Sequence, residues 1–249
     1  MAERVGFFTD TSICIGCKAC EVACKEWNQI PEDGFQFLGR SYDNTGQLGA
    51  STWRHVAFVE QPTGGGEQRW LMSSDVCKHC TSAACLNVCP TGALFRTEFG
   101  AVVVQQDICN GCGYCIPACP FGVIDQRKED GRAWKCTLCY DRLRAGQAPA
   151  CAQACPTQSI QFGPLDELRA RAAARVDEVP GARLYGADPA DGVQGMGAFF
   201  LLLDDPEVYG LPPDPVDATQ HLRSMWAAAA GAATTMALAV AAAFLRRRR

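Results

Sequence analysis

All sixteen cysteines of the 249-residue chain fall into four groups of four, with none left over. Cys14, Cys17, Cys20 and Cys24 are spaced C-x2-C-x2-C-x3-C, and Cys109, Cys112, Cys115 and Cys119 repeat that spacing. Cys77, Cys80, Cys85 and Cys89 are spaced C-x2-C-x4-C-x3-C. Cys136, Cys139, Cys151 and Cys155 are spaced C-x2-C-x11-C-x3-C. A thiolate is both a nucleophile and a soft metal ligand, so three chemistries compete: a disulfide framework, structural zinc, or iron–sulfur clusters. Disulfides between cysteines this close in sequence are strained or closed off by geometry for most of the set. Disulfide-dense chains are also usually small secreted domains, and this one is larger. Zinc takes pairs of C-x2-C and has no use for a third cysteine three residues on.

Iron–sulfur chemistry explains the whole pattern. A C-x2-C-x2-C-x3-C-P run is that of the bacterial ferredoxins, whose fourth cysteine ligates the other cluster of a pair. Three closely spaced thiolates wrap one cubane from a tight loop. The fourth sits one helical turn further on and faces a neighbouring cubane. Pro90, Pro120 and Pro156 follow the last cysteine of motifs two, three and four, fixing φ and turning the chain out of the helix. Motif one departs from this, with Lys25 in the proline position. No cysteine is replaced by Trp, Asp or Ser, so four [4Fe–4S] clusters are expected and no three-iron centre.

The elements that must position these loops are short. Residues 91–104 read as strand, turn and strand with Gly100 at the tight position, and 157–163 as a similar short strand. Metal–thiolate bonds take over much of the core's work, so metal binding becomes part of folding. The expected fold class is α+β, with two bacterial ferredoxin-like double-cluster modules. Sequence order would pair motif one with two and three with four. Nesting pairs two with three inside and one with four outside. Two features favour nesting: one compact hairpin joins Cys89 to Cys109, and residues 28–70 form an insertion too long for such a hairpin. The outer module then spans 1–70 and 120–163, and the inner one 71–119. The insertion, with Gly34, Gly39, Gly46, Gly49, Gly64, Gly65 and Gly66 and with Trp53 and Trp70, reads as a long segment of little regular structure. Such segments are usually functional or flexible, and this one is expected to dock a partner subunit. Residues 165–176 have helical composition and 199–203 read as a buried strand. Within the extension 164–224, Pro212, Pro213 and Pro215 mark a stiff linker.

The tail carries a different signal. Residues 226–245 contain no charge and include eleven alanines. Twenty helical residues span about 30 Å, the thickness of the hydrocarbon core. Trp226 would sit at one interface, and the four arginines at 246–249 would hold the other on the cytoplasmic side. The body would then lie on the outer face, with 225–249 as a single transmembrane helix. Gly231 and the small residues let neighbouring helices approach closely, so packing against an integral membrane partner is expected. Residues 1–8 lack the apolar run and cleavage site of a signal peptide, which would leave export to a partner's signal. Hydrophobic residues make up 48% and charged residues 20%, with a formal charge of −4. No basic surplus points to nucleic acid.

The four-motif arrangement resembles the iron–sulfur subunits of the molybdopterin oxidoreductases, and more closely resembles formate dehydrogenase beta subunits. The residues that carry the resemblance lie between the cysteines: Ile15-Gly16, Lys18-Ala19 and Lys25-Glu26-Trp27-Asn28 in motif one, Gly111, Gly113-Tyr114 and Pro120-Phe121 in motif three. In motif four they are Lys135, Thr137-Leu138, Asp141-Arg142 and Gly146-Gln147-Ala148-Pro149-Ala150. The resemblance covers roughly 7–163 and implies the nested pairing. It implies that Cys14, Cys17, Cys20 and Cys155 bind the first cluster and that Cys24, Cys136, Cys139 and Cys151 bind the second. Cys77, Cys80, Cys85 and Cys119 would bind the third, and Cys89, Cys109, Cys112 and Cys115 the fourth. The partners it implies are a molybdopterin-containing catalytic subunit at the first cluster and a membrane cytochrome b-type subunit at the fourth.

On this reading the chain breaks no bonds itself. It would carry electrons singly from a molybdenum or tungsten formate dehydrogenase subunit to the membrane. Cluster potentials span roughly −700 to +450 mV, set by charge, hydrogen bonds to sulfur and solvent exposure. Gly16, Gly111 and Gly113 can bring backbone N–H groups near sulfur. Lys18, Lys78 and Lys135 lie beside ligands, where they either tune potentials or stand as solvated charges. His79 is expected to be a neighbour and not a ligand. The rival readings are the iron–sulfur subunit of a hydrogenase or of another molybdopterin reductase, and a free polyferredoxin, which would have no use for the tail.

Overall fold

The computed structural model of the protein describes residues 3–34, 37, 39, 42–62 and 68–247. Gly64, Gly65 and Gly66 of the insertion and Arg248 and Arg249 of the tail lie outside the described residues. The protein forms two units, Met1–Asp217 and Ala218–Arg249.

In the first unit, strand β1 (Val5–Asp10) places Phe7 and Phe8 on opposite faces of a sheet, as successive strand residues must be. Both are fully buried, Phe7 in the core that holds most of the cysteines and Phe8 in a second core. Helix α1 (Ala19–Asn28) follows the first two cysteines of motif one and carries the other two. With Lys25 where the other motifs have proline, α1 continues a full turn past Cys24. Lys25 Nζ then reaches the carbonyls of Pro31 at 3.3 Å and Ser51 at 2.8 Å, tying the helix to the insertion.

The insertion is more regular than its glycines suggest. Strands β2 (Arg54–Pro62) and β3 (Gln68–Val76) pair antiparallel along their whole length, from Arg54↔Val76 to Pro62↔Gln68. Val56, Phe58 and Val59 on β2 face a partner strand that carries Leu71 and Val76, so the segment has its own reason to pair. Trp53 is buried and stacks on Trp134 at 6.2 Å, so this part of the insertion belongs to the body. Phe37 and Tyr42 remain largely exposed.

Around the second and third motifs come α2 (Ala84–Asn87), β4 (Leu94–Arg96), β5 (Val102–Val104) and α3 (Cys115–Ala118). The hairpin β4–β5 joins the two motifs, and α2 packs on α3. Strands β6 (Asp125–Gln126) and β7 (Ala133–Trp134) make a second small hairpin. Then follow α4 (Tyr140–Arg144) and α5 (Ala150–Gln153), and α5 packs on α1. Helices α2, α3 and α5 are single turns, each ending just before the last cysteine of its motif, ahead of the proline that cannot continue it.

Strand β8 (Ile160–Pro164), helix α6 (Leu165–Glu178), β9 (Arg183–Tyr185) and β10 (Ala198–Leu202) complete this unit. The sheet order is β8-β1-β10-β9. β1 runs antiparallel to β8 and parallel to β10, with Phe7↔Ala198 and Phe8↔Phe199 in register. Leu165, Leu168 and Ala172 line one face of α6 and bury in the same core as Phe8 and Phe199. The sheet therefore divides the cysteine core from an aliphatic and aromatic one. The segment with Pro212, Pro213 and Pro215 is no free spacer. Tyr185 Oη donates to the Pro212 carbonyl at 2.6 Å, and the Asp217 N–H donates to the Gly192 carbonyl at 3.0 Å.

The second unit is helix α7 (Leu222–Arg247). Its segment Ser224–Leu245 is long and apolar enough to cross a membrane.

Candidate functional site

Each C-x2-C loop uses the same backbone device. The residue just before the second cysteine has positive φ in all four motifs: Gly16 (65°), His79 (45°), Gly111 (73°) and Leu138 (58°). The left-handed turn curls the loop so that two thiols and the intervening N–H groups face one point. At Cys14 the Gly16 N–H bonds the sulfur. Glycine takes this conformation freely, whereas His79 and Leu138 adopt it at a steric cost held by burial.

The loops bring the thiols together across motifs. A cavity is lined by Cys14, Cys17, Cys20 and Cys155. The charges of Cys136, Cys151 and Cys139 all bear on Cys24. A second cavity is lined by Cys77, Cys80, Cys85 and Cys119, with Lys78 and His79 beside them. The charges of Cys109, Cys112 and Cys89 bear on Cys115. These four groups of thiols are themselves neighbours in a row, because Cys20 feels Cys151, Cys136 feels Cys77, and Cys85 feels Cys115. All sixteen thiols are free. Among the described residues no three His, Cys, Asp or Glu side chains converge tightly enough to hold a single metal ion.

Electrostatics bears on the same question. Burial pushes the Cys20 and Cys115 thiols up to about 11 and Cys85 up to about 12, with neighbouring thiols adding to the push. Burial drives Cys24, Cys80 and Cys136 in the same direction. Thiols this reluctant to ionise become ligands only against concentrated positive charge. An iron–sulfide core would supply it, and sixteen cysteines in four groups fit four such cores.

Cations also surround the thiols. Lys78 and Lys135 are 1% and 2% exposed, so neither is the solvated charge that sequence alone allowed. Lys78 Nζ pairs with Asp75, donates to the Val76 carbonyl at 2.9 Å and lies 5.2 Å from the ring centres of Phe121 and Phe200. Lys135 Nζ donates to the Val102 carbonyl and, at 2.9 Å, to that of Cys136, and its charge reaches Cys85. Lys18 is only partly buried and pairs with Glu21 and Asp43 at 3.3 Å each. The His79 Nδ1 accepts the Val102 N–H at 3.1 Å. Burial, with Lys135, Arg96 and Arg4 nearby, pushes its pKa well below the usual imidazole range, so it stands neutral beside the thiols.

Several contributors had no signature in the spacing. Asn28 Nδ2 donates to the Cys24 carbonyl at 2.8 Å and lies 3.8 and 3.9 Å from the sulfurs of Cys24 and Cys139. Thr91 and Thr157 place hydroxyls 3.7 and 3.8 Å from the sulfurs of Cys89 and Cys155. The recurrence of Cys-Pro-Thr in motifs two and four could have flagged these two. Arg54 and Ser74, buried beside motif one, could not have been found from motif spacing at all.

Two family models, both described as 4Fe-4S dicluster domain, match residues 13–93 and 68–165. The sequence is 43% identical over 219 residues to the nitrate-inducible formate dehydrogenase iron-sulfur subunit of Escherichia coli, covering 85% of this protein and 74% of that one. It is 40% identical over 251 residues to the formate dehydrogenase-O iron-sulfur subunit of the same organism, covering 96% and 82%. The B subunit of the anaerobic dimethyl sulfoxide reductase of Escherichia coli is 39% identical over 170 residues, covering 68% and 78%.

Proposed function

We propose the following from the premise that this chain belongs to the formate dehydrogenase iron–sulfur subunits: it conducts electrons between a molybdopterin-containing formate dehydrogenase subunit and a cytochrome b-type membrane subunit. The premise makes it an electron-transfer subunit with 4Fe-4S cluster domains. The observation that carries the rest is the row of four thiol groups: thiols from different motifs line common cavities, Cys14, Cys17 and Cys20 with Cys155 and Cys77, Cys80 and Cys85 with Cys119, and each group lies within electrostatic reach of the next.

Within that row, Cys14, Cys17, Cys20 and Cys155 are assigned to the first [4Fe–4S] cluster and Cys24, Cys136, Cys139 and Cys151 to the second. Cys77, Cys80, Cys85 and Cys119 are assigned to the third, and Cys89, Cys109, Cys112 and Cys115 to the fourth. Motifs one and four then form an outer module, 1–70 with 120–163, around an inner module, 71–119. The packing of α1 on α5 and of α2 on α3 supports that nesting. The clusters supply one-electron redox chemistry. The protein holds the thiolates in place, buries seven of the sixteen, and sets the local charge through Lys78 and Lys135. Exposed Cys17 and Ile15 mark the end for the catalytic partner, and exposed Cys112 and Tyr114 the end for the membrane partner. The insertion 28–70, with Phe37 and Tyr42 exposed, adds docking surface. Helix α7 is assigned as a single membrane span with its arginine end cytoplasmic and the body on the outer face.

The likeness to the dimethyl sulfoxide reductase subunit gives a second reading, with the same wire serving a different catalytic subunit. Purifying the native complex and assaying it with formate and a dye acceptor, then with reduced dye and dimethyl sulfoxide, separates the two. Formate-dependent dye reduction is expected. Sulfoxide reduction without formate oxidation would replace the first reading with the second.

A further inference from the structure

Arg54 heads β2 and is 1% exposed, the largest side chain so deeply buried among the described residues. Its Nη1 donates to the Ser74 carbonyl at 3.2 Å and to Ser74 Oγ at 3.1 Å. Its guanidinium lies 4.7 Å from the ring centre of Phe7. Nε and Nη2 are buried and meet no oxygen or nitrogen acceptor among the described residues, the guanidinium is within hydrogen-bonding reach of the Cys151 thiol, and no carboxylate forms an ion pair with Arg54 there. A buried guanidinium without a counter-charge is costly, because desolvation is uncompensated. The groups that face it are thiols: the charges of Cys151, Cys20, Cys136 and Cys24 bear on it.

These four cysteines come from two different groups of the row, so Arg54 stands at the junction between them. Ser74 extends the arrangement. Its Oγ accepts from Arg54 and lies 3.2 Å from Cys20 Sγ, where a ligating thiolate leaves the hydroxyl to donate. The Cys20 sulfur thus receives a hydrogen bond already polarised by a cation, while the Nε–H and Nη2–H groups remain for the same sulfur-rich surroundings.

We infer that Arg54 is a positioning residue shared by the first and second clusters, serving as their common counter-ion and, directly and through Ser74, as a hydrogen-bond donor to their sulfur atoms. This rests on the ligand sets assigned above. A cation and N–H donors near sulfur favour the reduced, more negative state of a cluster. Arg54 therefore raises the midpoint potentials of two adjacent centres and leaves the other two alone. Arginine suits the position better than lysine because its planar fork can serve sulfurs on two sides.

The test is a redox titration of the full-length protein with its clusters, followed by electron paramagnetic resonance, for the wild type, Arg54→Met, Arg54→Lys and Ser74→Ala. Iron is measured on every sample. Wild-type protein short of sixteen irons would sink the ligand sets themselves, independently of Arg54. With the sets intact, Arg54→Met is expected to lower the midpoint potentials of two centres and spare two, with Arg54→Lys shifting them less. Ser74→Ala is expected to lower one centre only. If Arg54→Met fails to hold its clusters, Ser74→Ala and Arg54→Lys carry the test. Unchanged potentials in loaded variants, or a lysine variant shifted as far as the methionine one, would overturn the inference.

Discussion

Replacing Gly111 by alanine should selectively destabilise the fourth cluster. Gly111 has φ of 73°, and a Cβ built there would lie 2.4 Å from the Gly131 carbonyl oxygen, a backbone atom in the β6–β7 turn. The left-handed conformation costs a non-glycine residue about 1–2 kcal/mol, and forcing atoms into a filled space adds about 1–3 kcal/mol. The sum, about 2–5 kcal/mol, falls on a loop that carries Cys109, Cys112 and Cys115. It also disturbs Gln126, whose Nε2 donates to the Gly131 carbonyl at 2.9 Å. Gly122 is the control: its φ is 61°, and a Cβ there would meet nothing within 4 Å. Gly122→Ala should therefore bear the backbone cost alone. At about 2–4 °C per kcal/mol, the Gly111 variant should lose its cluster absorbance about 2–12 °C below the Gly122 variant. It should also lose up to one cluster's complement of iron after gel filtration. Full iron content together with melting coincident with Gly122→Ala would show that the Gly131 carbonyl does not constrain this loop.

Other consequences follow from the same geometry. Cys119→Ser, in motif three, should abolish the resonance of the third centre while leaving the three ligands of its own motif to hold the fourth; loss of the fourth alone would contradict the cross-motif assignment. Lys135→Met removes the donor to the Val102 and Cys136 carbonyls. Unmet buried acceptors cost about 1–3 kcal/mol each, so thermal scans of the cluster-loaded protein should show melting lowered by several degrees, and an unchanged melt would show that Lys135 is dispensable. Ending the protein after Gln220 should leave iron content unchanged and shift it from the membrane pellet to the soluble fraction on carbonate extraction. Retention in the pellet would show that α7 is not what anchors it.

Much of the chemistry was legible because thiol spacing is a local property. The C-x2-C loops, the hairpin β4–β5, β8, and the start of α6 at Leu165 all lie where turn residues and apolar periodicity put them. What stayed hidden is long-range. Nothing in Val5–Asp10 announces that it pairs parallel with Ala198–Leu202, far along the sequence. The β2–β3 pairing was obscured by the glycines between its strands, which suggested an irregular loop, although the strands themselves carry valines and aromatic residues. Lysines 78 and 135 could be read as solvated because a sequence does not show which backbone carbonyls will converge on an ammonium group. Arg54 was missed for the same reason: arginine at the head of a strand ordinarily faces water, and only the fold shows that it faces sulfur instead.

The central claim is that sixteen thiols hold four cubanes in a row. Anaerobic analysis of the purified protein for iron and acid-labile sulfide tests it most directly, alongside zinc on the same sample. Sixteen irons and as many sulfides per polypeptide are expected, with no stoichiometric zinc. A value near eight irons, or stoichiometric zinc in their place, would contradict it.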